Sequence, residues 1–361
     1  MRRAFEHTGN PSAIHASGRT TRALVDNARE QVAKLVNAKM NDVVFTSGGS
    51  EANALALWGG VQGASDSATP VTRLLVSAIE HDSMLKTAEA VAERTGIELV
   101  TIPVNRDGIL DLDALDLQVN IGHTLVAVMA ANNETGVIQP IEEIASRARG
   151  ANALLLVDAV QACGKLAVDF AALGADYLTI SAHKFGGPQG AGALVMKPHA
   201  PFATLLPGGQ EKGRRGGTEN VIGIAGFGAA AESVAQDDVS QIGHLRERFE
   251  TTLRLRLPEV VIFGEAMPRL VNTSNFAIPG IAAETAVISL DLDGVMISSG
   301  AACSSGKVQQ SHVLKAMGVP RELASCGLRV SFGWNSNRSE IDAALAALDR
   351  LVARVRGRKA A

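Results

Sequence analysis

Between about residue 42 and residue 200 the chain repeats one pattern, a short apolar run followed by a longer amphipathic stretch. The runs are Val43-Val44-Phe45, Leu74-Leu75-Val76, Leu99-Val100, Leu125-Val126-Ala127-Val128, Leu154-Leu155-Leu156-Val157, Tyr177-Leu178-Thr179-Ile180 and Ala193-Leu194-Val195. They do not alternate apolar with polar residues, so each predicts a strand covered on both faces. Strands of this kind with helices between them make an α/β fold, a mostly parallel central sheet flanked by helices. Such sheets bind ligands beyond the carboxyl ends of their strands. The residues that follow each run are therefore the first place to look for chemistry.

The pattern stops near Ala200. Pro207-Gly208-Gly209 and Gly216-Gly217 mark a long loop of functional character rather than a linker. A charged helix is expected from about Gln236, and a second region follows it, with strands around Ser274–Phe276 and Leu328–Phe332. Ile341, Leu345, Leu348, Val352 and Val355 recur at helical spacing and close the chain with an amphipathic helix. A length of 361 residues suits two domains. The expected division is a large domain over 1–236 and a smaller C-terminal α+β domain over 237–361.

A net charge of -3 and few aromatic residues give no footing for nucleic acid. No apolar run approaches the length of a membrane span, and Met1-Arg2-Arg3 is not followed by the apolar core of a secretory signal. The three cysteines, Cys163, Cys303 and Cys326, do not form a disulfide framework, which points to the cytoplasm. No spacing of His or Cys suggests an intrinsic metal site.

Asp158 ends the run Leu154–Val157. A carboxylate there needs a cationic or proton-donating partner, or else it caps the next helix. Lys184 follows the run Tyr177–Ile180 in Ser181-Ala182-His183-Lys184 and is expected to be held, buried, at the carboxyl edge of the sheet. Alone it reads as a surface lysine. With Asp158 it forms the pair that pyridoxal phosphate requires, an amine for a Schiff base and a carboxylate for the pyridinium nitrogen. Thr46-Ser47-Gly48-Gly49-Ser50-Glu51-Ala52-Asn53 lies between a strand and a helix, where glycines and helix N–H groups suit a phosphate. Ser50 and Glu51 are the candidates there. No Gly-Lys-Ser/Thr follows, so it is not a nucleotide-type P-loop.

Other segments carry a family likeness: Gly9-Asn10-Pro11-Ser12 with His15, Asn132-Asn133-Glu134-Thr135-Gly136, Ser181-Ala182-His183-Lys184 and Ser298-Ser299-Gly300-Ala301-Ala302-Cys303-Ser304-Ser305-Gly306. In order and spacing the chain resembles the cysteine desulfurases of the NifS/IscS type, in the class V aminotransferase family of fold-type I pyridoxal-phosphate enzymes. The resemblance implies that Lys184 bonds the cofactor and that Asp158 keeps the ring nitrogen protonated. Gln161 and Asn133 would lie near the ring hydroxyl and the substrate. His81 would stack on the ring and move protons. Ser50, Ser181 and His183 would hold the phosphate. Thr218 would reach the phosphate of a second subunit, which implies a homodimer.

Two residues bear on the reaction. Leu328, Val330 and Phe332 share one face of a strand, so Arg329 faces the other way. A guanidinium there can clamp the carboxylate of an amino acid, and the resemblance gives it that task. Cys303 sits among Gly and Ser without bulky neighbours, the setting of an exposed, reactive thiolate. The resemblance implies that L-cysteine loses its sulfur to Cys303 as a persulfide and leaves as L-alanine. The sulfur then passes to a protein acceptor such as an iron–sulfur scaffold, and Cys303 itself could transiently ligate a cluster. Cys163 and Cys326 read as packing cysteines. A class V transaminase or selenocysteine lyase stays open as an alternative, as does a catalytically impaired dimer partner or sulfur-carrier scaffold. The resemblance also implies a segment ahead of Gly9 with an Ala-Thr-Thr-type loop, where this sequence has eight residues.

Overall fold

Each apolar run forms a strand in the computed structural model, which describes all residues except 8, 66, 235–237, 301–309 and 361 and the side chains of 3 and 358–360. The strands are β1 (Val43–Thr46), β2 (Arg73–Ser77), β3 (Glu98–Ile102), β4 (Thr124–Met129), β5 (Leu154–Asp158), β6 (Tyr177–Ser181) and β7 (Gly192–Met196). They form one sheet in the order β1-β7-β6-β5-β4-β2-β3. Only β7 runs antiparallel to its neighbours β1 and β6, while the remaining pairs are parallel. Every residue of β1, β2, β4, β6 and β7 is buried. Two covered faces leave no reason for alternation, which is why these runs read as continuously apolar. β3 lies at the edge, and its Glu98 and Thr101 are exposed.

This sheet belongs to a first compact unit, Met1–Ile102, Asp111–Ala130 and Pro140–Asp237. The helix Gly49–Ala64 brings Ala52, Leu55, Ala56 and Leu57 into one core with Leu74, Val76, Leu125 and Tyr177. Each large side chain buried this way contributes about 1.5–3 kcal/mol. The approach is close: a Cβ at Gly60 would come within 2.9 Å of Leu125 Cδ1. That packing fixes the start of the helix, and therefore the loop before it, at the carboxyl end of β1.

The second unit comprises Pro103–Leu110, Ala131–Gln139 and Asp238–Ala361. Its antiparallel sheet has the order β10-β11-β9-β8, from β8 (Val261–Ile262), β9 (Thr273–Ala277), β10 (Ser298–Ser299) and β11 (Gly327–Ser331). Phe249, Phe276, Leu328 and Phe332 form its core with Ile341, Leu345, Leu348 and Val352 of the helix Arg338–Ala360. Segments 103–110 and 131–139 group with this unit although they lie far earlier in the chain than its main part. Among the described residues, no helix is long and apolar enough to cross a membrane.

Candidate active site

In the first unit, Asp158 is the last residue of β5, and its carboxyl lies inside the protein at 5% exposure. Asn53 Nδ2 donates to Oδ2 at 2.8 Å and the Val160 amide donates to Oδ1 at 2.9 Å. Burial pushes the carboxyl above the usual aspartate range, against the opposing pull of Asn53, Val160, His81 and Lys184. Both hydrogen-bond donors are neutral. Such a carboxylate is suited to a further cationic N–H.

Asn53 links this carboxylate to His81. Its Nδ2 also donates to Ser83 Oγ at 3.1 Å, and Ser83 Oγ lies 2.9 Å from His81 Nδ1. Its Oδ1 accepts from Thr179 Oγ1 at 2.6 Å. His81 is the N-cap of the helix Asp82–Thr95, where Nδ1 accepts from the Ser83 amide at 3.1 Å. An Nδ1 that accepts a backbone N–H leaves the ring proton on Nε2. Asn53, Ser83 and Thr179 carry no role in the sequence reading. The only sequence signal for Asn53 is an amide among Ala52, Leu55 and Ala56 on an apolar helix.

Lys184 lies in the turn Ala182–Phe185 that follows β6, closed by Gly186 at φ 88 and by the Gly187 amide on Ala182 O at 2.9 Å. Its side chain is exposed, where the sequence reading expects burial. Its charge nevertheless reaches Asp158, His183 and Lys165. Lys165 donates to Gln161 O at 2.8 Å, and burial, helped by Lys184, lowers its pKa to about 8. Gln161 is half-buried just beyond Asp158. Ser181 Oγ lies 2.9 Å from His183 Nδ1, and desolvation, then Lys184 and Lys165, lowers the His183 pKa.

Ser47, Gly48 and the first turn of the Gly49 helix form a loop at the end of β1. Its backbone is pressed close to its neighbours: a Cβ on Gly49 would meet Val160 Cγ2 at 2.7 Å, and one on Gly192 would meet Gly48 Cα at 2.6 Å. Ser50 is exposed in that turn. Glu51 accepts the Ser47 amide at 2.8 Å and pairs with Arg215 at 2.8 Å. Thr218 is exposed on the same segment as Arg215.

In the second unit, Asn132 Oδ1 accepts the amides of Glu134 and Thr135, both at 2.9 Å, and shapes the loop that presents Asn133. Arg329, on β11, donates from Nη1 to Asn133 O at 2.9 Å. Its strand neighbours Leu328 and Phe332 turn into the core and Val330 packs against it. Asn133 Oδ1 and Arg329 Nε are buried with no hydrogen-bond partner among the described residues, and no carboxylate among those residues ion-pairs with Arg329. A donor and an acceptor left this way suit an incoming polar ligand. Cys303 lies outside the described residues. Cys163 and Cys326 are both buried and unpaired, and burial pushes the Cys163 thiol up to about 12.

The donor set fits pyridoxal phosphate. A buried carboxylate suits a pyridinium, an amine stands at a strand end, and a helix start with Ser50, Ser181 and His183 suits a phosphate. Comparison with known proteins agrees. Residues 2–344 match the family described as aminotransferase class-V. The cysteine desulfurase IscS of Dictyoglomus turgidum is 38% identical over 97% of this chain and 89% of its own. The structure of a NifS-like protein from Rickettsia africae superposes with a TM-score of 0.87 at 32% identity, over 97% of this chain and 94% of that one. A structure of SspA in complex with cysteine gives 0.79 at 28% identity over 91% of each chain.

Proposed function

This chain belongs to the class-V aminotransferase family, and from its likeness to the cysteine desulfurases within it we infer that it is a pyridoxal-phosphate-dependent cysteine desulfurase. The observation that carries the cofactor half of the reading is Asp158, a buried carboxylate whose hydrogen-bond partners are neutral. Lys184 would bond the cofactor, Asp158 would meet its ring nitrogen, and Gln161, Asn133 and His81 would lie about its ring. Ser50, the backbone N–H of Glu51, Ser181 and His183, with Thr218 of a second copy, would form its phosphate site. When bound, the cofactor supplies an electron sink for carbanion chemistry at the substrate Cα.

The residues act as follows. Arg329 binds the carboxylate of L-cysteine with the donors not committed to Asn133. Lys184 Nζ removes the Cα proton, and His81, protonated on Nε2, serves as a second proton carrier. The Cys303 thiolate attacks the substrate sulfur, so that an S–S bond forms as the Cβ–S bond breaks. The carbon fragment gains the protons that complete L-alanine, and the protein keeps the sulfur as a Cys303 persulfide. A protein acceptor in the cytoplasm, such as an iron–sulfur scaffold, then takes it. In this reading the part of the chain up to 236 holds the cofactor, and 237–361 carries Arg329 and Cys303.

The test is incubation of the full chain with L-cysteine and a thiol reductant. Alanine and sulfide are expected in equal amounts with no 2-oxo acid present. Amino transfer that requires a 2-oxo acid, without sulfide, would replace this reading with that of a transaminase.

A further inference from the structure

Glu211, Lys212 and Gly213 form a left-handed turn, at φ 46, 57 and 79. Residues with a Cβ rarely adopt this conformation, and two in succession need outside support. The support is a buried ion pair. Glu211 accepts from Arg29 Nη1 at 2.6 Å, from Arg29 Nη2 at 2.7 Å and from the Phe45 amide at 2.8 Å. Arg29 also donates to Val43 O at 2.8 Å and lies 4.7 Å above the Phe45 ring. Glu211 and Arg29 are 7% and 8% exposed. The turn is thereby fastened to β1, the strand that leads into the Ser47–Glu51 loop.

Just beyond the turn, Arg215 Nε and Nη2 donate to Glu51 Oε1 and Oε2 at 2.8 and 3.3 Å. Glu51 Oε2 in turn accepts the Ser47 amide at 2.8 Å. Burial pushes the Glu51 carboxyl up, but Arg215 and Ser47 outweigh it and hold it below the usual range, so Glu51 is ionised at neutral pH. A carboxylate in the first turn of a helix is favourable alone and repels a phosphate dianion brought to the same place.

We propose that Arg215 is a positioning residue for the phosphate site: it cancels the charge of Glu51 and keeps that carboxylate on the Ser47 amide. The Arg29–Glu211 pair holds the left-handed turn that delivers Arg215 to Glu51. This inference rests on the reading of Ser47–Glu51 as the phosphate loop.

The test uses the full chain stripped of cofactor and measures equilibrium binding of pyridoxal phosphate and of pyridoxal, which lacks the phosphate. Arg215→Met weakens pyridoxal phosphate binding by about tenfold and leaves pyridoxal binding unchanged. Adding Glu51→Gln to Arg215→Met restores most of the loss, since no charge is left to cancel. Glu211→Gln produces the same phosphate-selective loss. The Arg215 and Glu51 variants, at half-buried positions, decide the matter should that buried variant not fold. Equal loss of both ligands in Arg215→Met, or a loss that Glu51→Gln does not recover, overturns the proposal. A wild-type chain that binds pyridoxal as tightly as pyridoxal phosphate defeats the phosphate-loop reading instead.

Discussion

Replacing Arg329 with lysine isolates what its fork supplies. Arg329 Nη1 is committed to Asn133 O at 2.9 Å, while Nε is buried without a partner among the described residues. Nε and Nη2 are thus the donors left for a substrate carboxylate. Lysine keeps the charge but offers a point donor in place of the planar pair. A charge-assisted hydrogen bond is worth about 1.5–3 kcal/mol. Loss of one such bond lowers kcat/KM for L-cysteine by roughly 10- to 150-fold. The loss is expected mainly in KM, since the carboxylate contact is made before and during reaction alike. Alanine and sulfide release gives both constants, and circular dichroism checks that β11 stays folded. Cysteamine, which has no carboxylate, is the control, and its slow turnover is expected to be the same in both proteins. An equal fold-loss for cysteamine and L-cysteine would refute the clamp.

Three further outcomes follow from the buried charges. Asp158 has a raised folded-state pKa, so its contribution to stability is fully present below the unfolded value, about 4, and is lost as pH rises through the folded value. Cofactor-free Asp158→Asn therefore gains melting temperature relative to cofactor-free wild type as pH rises from about 4 to 7; a gap that narrows with rising pH contradicts this. Glu211→Ala leaves Arg29 buried without its partner and costs about 3–5 kcal/mol in denaturant unfolding, whereas the pair Arg29→Leu/Glu211→Leu recovers most of it. Iodoacetamide near neutral pH is expected to spare Cys163, whose thiol is buried and pushed up to about 12; peptide mass mapping that finds Cys163 alkylated at the rate of a free thiol contradicts that.

The sheet was legible because burial on both faces writes itself as unbroken apolar runs, and every such run became a strand. Asp158 and Lys184 were legible as polar residues at strand ends, where these sheets place their chemistry, whereas His183 was picked out by the family resemblance. The hydrogen-bond route from Asp158 through Asn53 and Ser83 to His81 was not, because single polar residues on apolar elements leave no period to read. His81 shows the same limit, since only coordinates reveal it as a helix cap. The Arg29–Glu211 pair joins residues 182 positions apart, beyond any local pattern.

Cys303→Ser tests the desulfurase reading most directly, through protein mass after exposure to L-cysteine together with sulfide release. Wild type is expected to gain one sulfur on Cys303 and to release alanine and sulfide. The variant is expected to bind pyridoxal phosphate and L-cysteine as before, with no added sulfur and no sulfide. Sulfide release from Cys303→Ser at the wild-type rate would contradict the account.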